Sequence, residues 1–331
     1  MQEQDNLQWG LVHAYVLDGR GGARAVTRAE LEDLQLGDEE SIWLHWDRGH
    51  PLAQTWLREQ SGLSRFSCDL LLEENTRPRL LALPGNELLL FLRGVNLNPD
   101  AQPEDMVSVR IFADAKRTIS LRLRPLWATE ELIAQLEKGS GPKTSAELIL
   151  YLAHYLTDRV DALVSSLSEQ VDGQEEHLDA DERYMPEHGL MLQVRRRAAG
   201  LRRFLAPQRD IYAQLARNGF SWFVESDTNY WNELNNSLTR YLEELELIRE
   251  RVGLVLESEH RRLSEKMNRT MYRLSIITGF FLPMSFITGL LGVNVGGLPG
   301  VSSDHGFMIA CALIGGVATF QWWLFRRLRW L

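Results

Sequence analysis

The sequence predicts a cytoplasmic α/β domain followed by a long stalk helix and two closely spaced C-terminal transmembrane helices. Three observations predict it. Two uncharged stretches, 274–303 and 306–325, end an otherwise polar chain of 331 residues, 24% of them charged. A series of short runs rich in Val, Ile, Leu and aromatic residues fills the first 124 positions. From Asp227 to Met271 there is no proline, and the only glycine is Gly253.

The α/β reading covers residues 1–226. Strand-like runs are Trp9–Leu17, Ser41–Asp47, Leu80–Leu83, Glu87–Val95, Val107–Phe112 and Thr118–Arg124, with a turn at Pro84-Gly85-Asn86. Their short connections predict an antiparallel or mixed sheet, with short helices at Pro51–Glu59 and Glu130–Lys138. From Thr144 the period becomes helical. Thr144 and Glu147 fit a capping box, and Leu148, Leu152, Tyr155, Leu156, Val160, Leu163 and Leu167 recur at helical spacing. A second helix is expected over 178–205, stopping before Pro207, with the acidic stretch Glu169–Glu182 between the two.

The stalk, residues 227–273, carries Trp231, Leu234, Leu238, Tyr241, Leu245, Ile248, Val252 and Val255 in alternating three- and four-residue steps. This is a heptad stripe. It runs into the first span without a break, so one helix of roughly 95 Å is expected from about Asp227 to Leu291. Such a stripe needs neighbours, and identical copies around an axis are the economical source.

The spans are assigned to 274–294 and 306–325, joined by an external loop, 295–305, and followed by a basic tail, 326–331. Each uncharged stretch meets the roughly 20 residues needed to cross about 30 Å of hydrocarbon. Arg261, Arg262, Lys266, Arg269 and Arg273 precede the first span, and Arg326, Arg327 and Arg329 follow the second. The loop has neither Lys nor Arg, which places both termini in the cytoplasm of a multi-pass inner-membrane protein. The N-terminus, MQEQDNLQWG, predicts no cleavable signal. Cys68 and Cys311 are too few for a disulfide framework. The net charge of -9 argues against a nucleic-acid partner.

Within the first span, Met271, Leu274, Thr278, Leu282, Ser285 and Gly289 share one helical face of small and weakly polar groups. Pro283 kinks the helix or frees a carbonyl. The loop begins Gly292-Val293-Asn294-Val295-Gly296-Gly297-Leu298-Pro299-Gly300. A ring of Asn amides holds a hydrated cation through its water shell without the trapping that carboxylates cause. The tripeptide alone means little, since Gly94-Val95-Asn96 repeats it after a strand, where a turn is expected.

The long stalk, the two terminal spans and Gly292-Val293-Asn294 together resemble the CorA-type divalent metal-ion transporters. The resemblance implies a funnel-shaped homopentamer whose first span lines the pore. Asn294 would form the selectivity ring, with Gly292 shaping its turn, and Met271, Leu274, Thr278, Leu282, Ser285 and Gly289 would line the conduit. Magnesium members usually carry Met where Val293 stands, followed by an acidic loop. The departure resembles the zinc-transporting ZntB branch, as does Trp43-Leu44-His45-Trp46-Asp47. Zinc is therefore the expected cargo, with Co2+, Ni2+, Cd2+ or Mg2+ as alternatives, and no bound cofactor is expected.

Neither span contains Asp, Glu or His, so a proton coupled to transport would have to titrate at the ends. The groups available are Asp304 and His305 outside, and Glu257, Glu259 and His260 inside. His177, Asp179, Asp181 and His188 are potential cytoplasmic metal ligands, with a solvated helix connection as the alternative. His45 and Asp47 share a strand face and are expected to make structural hydrogen bonds. A magnesium, cobalt or nickel channel and a membrane-anchored coiled-coil scaffold are the competing functions. No nucleophile–base pair, phosphate loop or metal-ligating helix supports an enzyme.

Overall fold

The computed structural model describes residues 6–181, 183–217, 220–292 and 305–328. The chain divides into two compact units, residues 1–256 and 257–331.

The first unit is built on one sheet. Strands β1 (Leu11–Leu17), β2 (Ala23–Ala25), β3 (Ser41–Asp47), β4 (Arg79–Leu83), β5 (Glu87–Gly94), β6 (Val107–Ala113) and β7 (Arg117–Arg122) lie in the order β2-β1-β3-β7-β6-β5-β4. Only the β3–β7 pairing is parallel, so the sheet is mixed as expected. β2 adds a three-residue edge strand that has no apolar run to announce it.

Both faces of the sheet are covered, which is why its central strands read as continuous apolar runs rather than alternating ones. In β5, Leu88, Leu90 and Leu92 enter one core while Leu89 and Phe91 enter the other. One face carries α1 (Pro51–Glu59) and α2 (Arg65–Leu72) through Trp56, Leu57, Cys68 and Leu71. The other carries α3 (Trp127–Glu137), α4 (Ser145–Ala180) and α5 (His188–Arg217). On this second face His45 is fully buried. Its Nδ1 lies 2.7 Å from the Ser120 hydroxyl, which also accepts from Trp43 Nε1 at 2.8 Å. Burial, with His13 and Arg122 nearby, holds the His45 imidazole well below the usual histidine range. The expected structural role of His45 is met. Asp47 accepts from the Gly49 amide at 2.7 Å. Gly94-Val95-Asn96 is not the expected turn: Gly94 ends β5 and the next two residues leave it without regular structure, the Asn96 side-chain amide donating to Asp105 O.

The helical part departs from expectation in two places. The Thr144 hydroxyl accepts from the Glu147 amide and starts α4 as anticipated, but α4 continues to Ala180 through the acidic stretch. The acids are accommodated because a cation from a distant helix meets them: Arg251 Nε donates to Glu175 at 3.1 Å, and its guanidinium also pairs with Asp172. These two carboxylates raise the Arg251 pKa above its ordinary value. Likewise, α5 passes through Pro207 to Arg217. The lost ladder bond is outweighed by burial just beyond it. Gln208 is fully buried, accepts from the Arg93 amide at 2.8 Å and donates to the Arg93 carbonyl at 3.1 Å, continuing the edge of β5 where β4 stops.

The stalk is part of α6 (Asp227–Leu291), a 65-residue helix as predicted. Its stripe, however, is covered within the chain. Trp231, Leu234, Leu238, Tyr241, Leu245, Ile248, Val252 and Val255 all join the core shared with α4 and α5. The stripe therefore places no demand on other copies, which corrects the inference drawn from the sequence.

The second unit holds the C-terminal end of α6 and α7 (Gly306–Arg327). Both helices are long and apolar enough to span a membrane, and almost none of either apolar window is buried within the chain. Within the single chain these segments are not core helices.

Candidate functional site

The site is the surface of the hairpin formed by the end of α6 and by α7. Its geometry follows from which face of α6 the second span covers. The less exposed residues of the first span are Ile276, Gly279, Phe280, Pro283, Met284 and Ile287, at helical spacing. Opposite them on α7 lie Gly306, Ala310, Ile314, Val317, Gln321 and Phe325, again one stripe. The two stripes meet at Gly279, whose carbonyl accepts from Gln321 Nε2 at 3.1 Å. The Phe280 and Phe325 rings stand 6.5 Å apart.

Every residue assigned from the sequence to the pore face lies outside that seam. Met271, Leu274, Thr278, Leu282, Ser285 and Gly289 are all exposed in the single chain. The exposed surface is wider than this face, since Phe281 and Phe286 are also uncovered. The chosen face bears the Thr278 and Ser285 hydroxyls and Gly289, while Ser275 and Thr288 are exposed as well, and it carries no His, Cys or carboxylate. Such a face offers water-like oxygens but no set of ligands for a bare zinc ion. The helix ends at Leu291, and the amide of Gly292 after it donates to Thr288 O at 2.9 Å. Val293, Asn294 and Asp304 lie outside the described residues.

The other sequence-selected groups are dispersed. Glu257 and His260 are exposed on α6, and Glu259 is half-buried there. His305 precedes the first turn of α7, and its carbonyl accepts from the Ile309 amide. His177 binds the Gly173 carbonyl through Nδ1 and stacks on Tyr184 at 5.1 Å. Asp181 accepts from the Arg183 amide at 2.8 Å. Among the described residues, no group of three or more His, Cys, Asp or Glu side chains is placed to hold a metal ion. His177, Asp179, Asp181 and His188 are thus not assembled into a cytoplasmic site.

Sequence reasoning missed Gln321. A signal was present: it is the one amide side chain in an uncharged second span, and Pro283 leaves a carbonyl for it to meet.

Comparison with known proteins agrees with this architecture over nearly the whole length. A family profile described as CorA-like Mg2+ transporter protein matches residues 38–327. The chain is 67% identical over 322 residues to the divalent cation transporter CmaX of Pseudomonas aeruginosa, covering 97% of each chain. It is 34% identical to the zinc transport protein ZntB of Pectobacterium carotovorum, covering 97% of this chain and 96% of that one. A solved structure of full-length CmaX superposes with a TM-score of 0.87, covering 97% of this chain and 98% of the other. These relatives are transporters and not enzymes. On a profile match spanning most of its length and on these identities, the chain belongs to the CorA-like transporter family.

Proposed function

We propose that this protein is a divalent-cation transporter of the inner membrane, zinc preferred, in which identical copies form a homopentameric pore lined by the first span. The carrying observation is the face Met271–Gly289. It is uncovered by the second span and bears Thr278, Ser285 and Gly289 among aliphatic groups. The exposed stripe also extends towards the cytoplasm through Leu263 and Met267. Packing several copies around an axis would cover this aliphatic surface and turn the hydroxyls towards a shared conduit.

Asn294 is assigned the ring at the outer mouth, with Val293 beside it and Gly292 turning the chain. The lining has no strong zinc ligand, so the ion keeps most of its water along the span. Zinc preference is supported by Val293, by the absence of an acidic outer loop, and by similarity to the ZntB protein. The basic residues at the inner ends of both spans support cytoplasmic termini. If protons are coupled, Asp304 and His305 are assigned outside and Glu257, Glu259 and His260 inside, because the spans hold no titratable acid or histidine.

The test is zinc uptake into proteoliposomes containing the purified protein, with and without a pH gradient, beside a magnesium control. Protein-dependent zinc entry supports the reading, and acceleration by the gradient supports coupling. Magnesium entry without zinc entry would reassign the cargo, and no flux of either ion would leave only a membrane-anchored scaffold.

A further inference from the structure

Pro283 has no amide hydrogen, so the carbonyl four residues earlier, that of Gly279, loses its ordinary helical donor. In a bilayer core no water replaces the missing bond. The second span does. Gln321 Nε2 donates to Gly279 O at 3.1 Å, and the Gln321 side chain is nine-tenths buried in the seam, 9% exposed. Two further features make the contact specific. Gly279 has no side chain, and a Cβ there would stand 3.2 Å from the Phe325 ring, so only glycine admits the second span this closely without displacement. Gln321 also leaves its Oε1 buried without a hydrogen-bond partner among the described residues. A polar atom held in hydrocarbon at that cost points to a use for the amide nitrogen.

The opened ladder lies between the two halves of the proposed pore face. Gly279 follows Thr278, and Pro283 follows Leu282. We infer that Gln321 is a positioning residue for transport: it replaces, from the second span, the hydrogen bond that Pro283 removes from the first. It thereby fixes the angle between the Met271–Thr278 and Leu282–Gly289 segments of the lining. The inference rests on the proposed pore reading.

A double-mutant cycle separates this role from simple packing. Restoring the backbone donor with Pro283→Ala makes the Gln321 amide redundant, because the residue 283 amide then meets Gly279 O directly. The four full-length proteins, wild type, Q321L, P283A and the double variant, are compared for zinc and magnesium uptake and for melting temperature. In the wild-type background Q321L is expected to lower maximal uptake about tenfold, the factor of one ordinary hydrogen bond, with little change in the half-saturating concentration. In the P283A background the same substitution is expected to cost less than about twofold. Equal losses in the two backgrounds, or Q321L uptake like that of wild type, would overturn the inference. If the wild type moves neither ion, the pore reading fails, while coupling in the melting temperatures still decides whether Gln321 answers Pro283. Additive melting effects without uptake would reject both.

Discussion

His45 makes the α/β unit sensitive to acid. Its ring is fully buried between β3 and the helices above it, stacked on His13 at 5.8 Å, with Ser120 on Nδ1. Arg122 and His13 add positive charge nearby, while Glu130 lies 3.8 Å from His13 and offers partial compensation there. Burial and these neighbours hold the folded-state pKa well below that of the unfolded chain, near 6.5. Above the unfolded value both states are neutral and nothing is lost. Below it the unfolded state takes up a proton that the folded state refuses, so stability falls as pH drops until the folded pKa is reached. At pH 5.5 this amounts to at most about 1.4 kcal/mol relative to pH 7.5, the limit for a ring that stays neutral in the fold, or up to roughly 3–6 °C in melting temperature. Thermal melts of the purified protein and of His45→Leu at the two pH values isolate the effect. The substitution has its own packing cost, but that cost does not vary with pH. If the two proteins lose the same number of degrees between pH 7.5 and 5.5, the imidazole titrates no differently in the fold and the reasoning is wrong.

Three further outcomes are expected. Leu238→Ala removes a fully buried member of the stalk stripe. It should cost about 2–5 kcal/mol and lower the melting temperature by roughly 5–15 °C, whereas a shift under about 2 °C would mean the stripe is not packed within the chain. Arg251→Met leaves Asp172 and Glu175 without their shared cation. Both acids are partly exposed, so the loss should be about 1 kcal/mol at low salt and should shrink as salt rises; a salt-independent loss would point to packing instead. Asn294→Ala should lower zinc uptake while leaving the melting temperature of the protein in place, and undiminished uptake would remove Asn294 from the outer ring.

Local pattern carried the sheet. The apolar runs of β3, β5 and β6 and the Pro51–Glu59 helix are legible because their covering layers bury both faces of the strands. The edge strand β2 and the eight-residue α2 are too short to leave a periodic signature. The acidic stretch looked like a linker because its counterion, Arg251, lies 76 residues away from Glu175. Pro207 looked like a stop because burial of Gln208, Ile211 and Tyr212 beyond it is tertiary information. At the site, helical spacing picked out residues that the second span leaves uncovered, within an exposed surface wider than the chosen face. It could not find Gln321, since spacing within one helix does not say which residue of another helix meets a freed carbonyl.

The two stripes of α6 make different demands, and only one of them asks for other copies. The stripe from Trp231 to Val255 is satisfied by α4 and α5, so its heptad regularity carries no information about oligomeric state. The second runs Leu263, Met267, Met271, Leu274, Thr278, Leu282, Ser285 and Gly289 in steps of four and three, and it is exposed throughout. On the proposed orientation its first members face water, which penalises Leu263 and Met267. Its last members face lipid, where Thr278, Ser285 and Gly289 gain little from contact with acyl chains. No single solvent suits the whole face. The proposed closed ring of copies would, because the aliphatic residues would then pack on one another while the hydroxyls would meet water in a shared conduit. The same composition limits what such a conduit does. On the proposed reading, a conduit without His, Cys or carboxylate along it would pass zinc with its water shell, and discrimination would fall to the outer mouth assigned to Asn294 and to the angle assigned to Pro283 and Gln321.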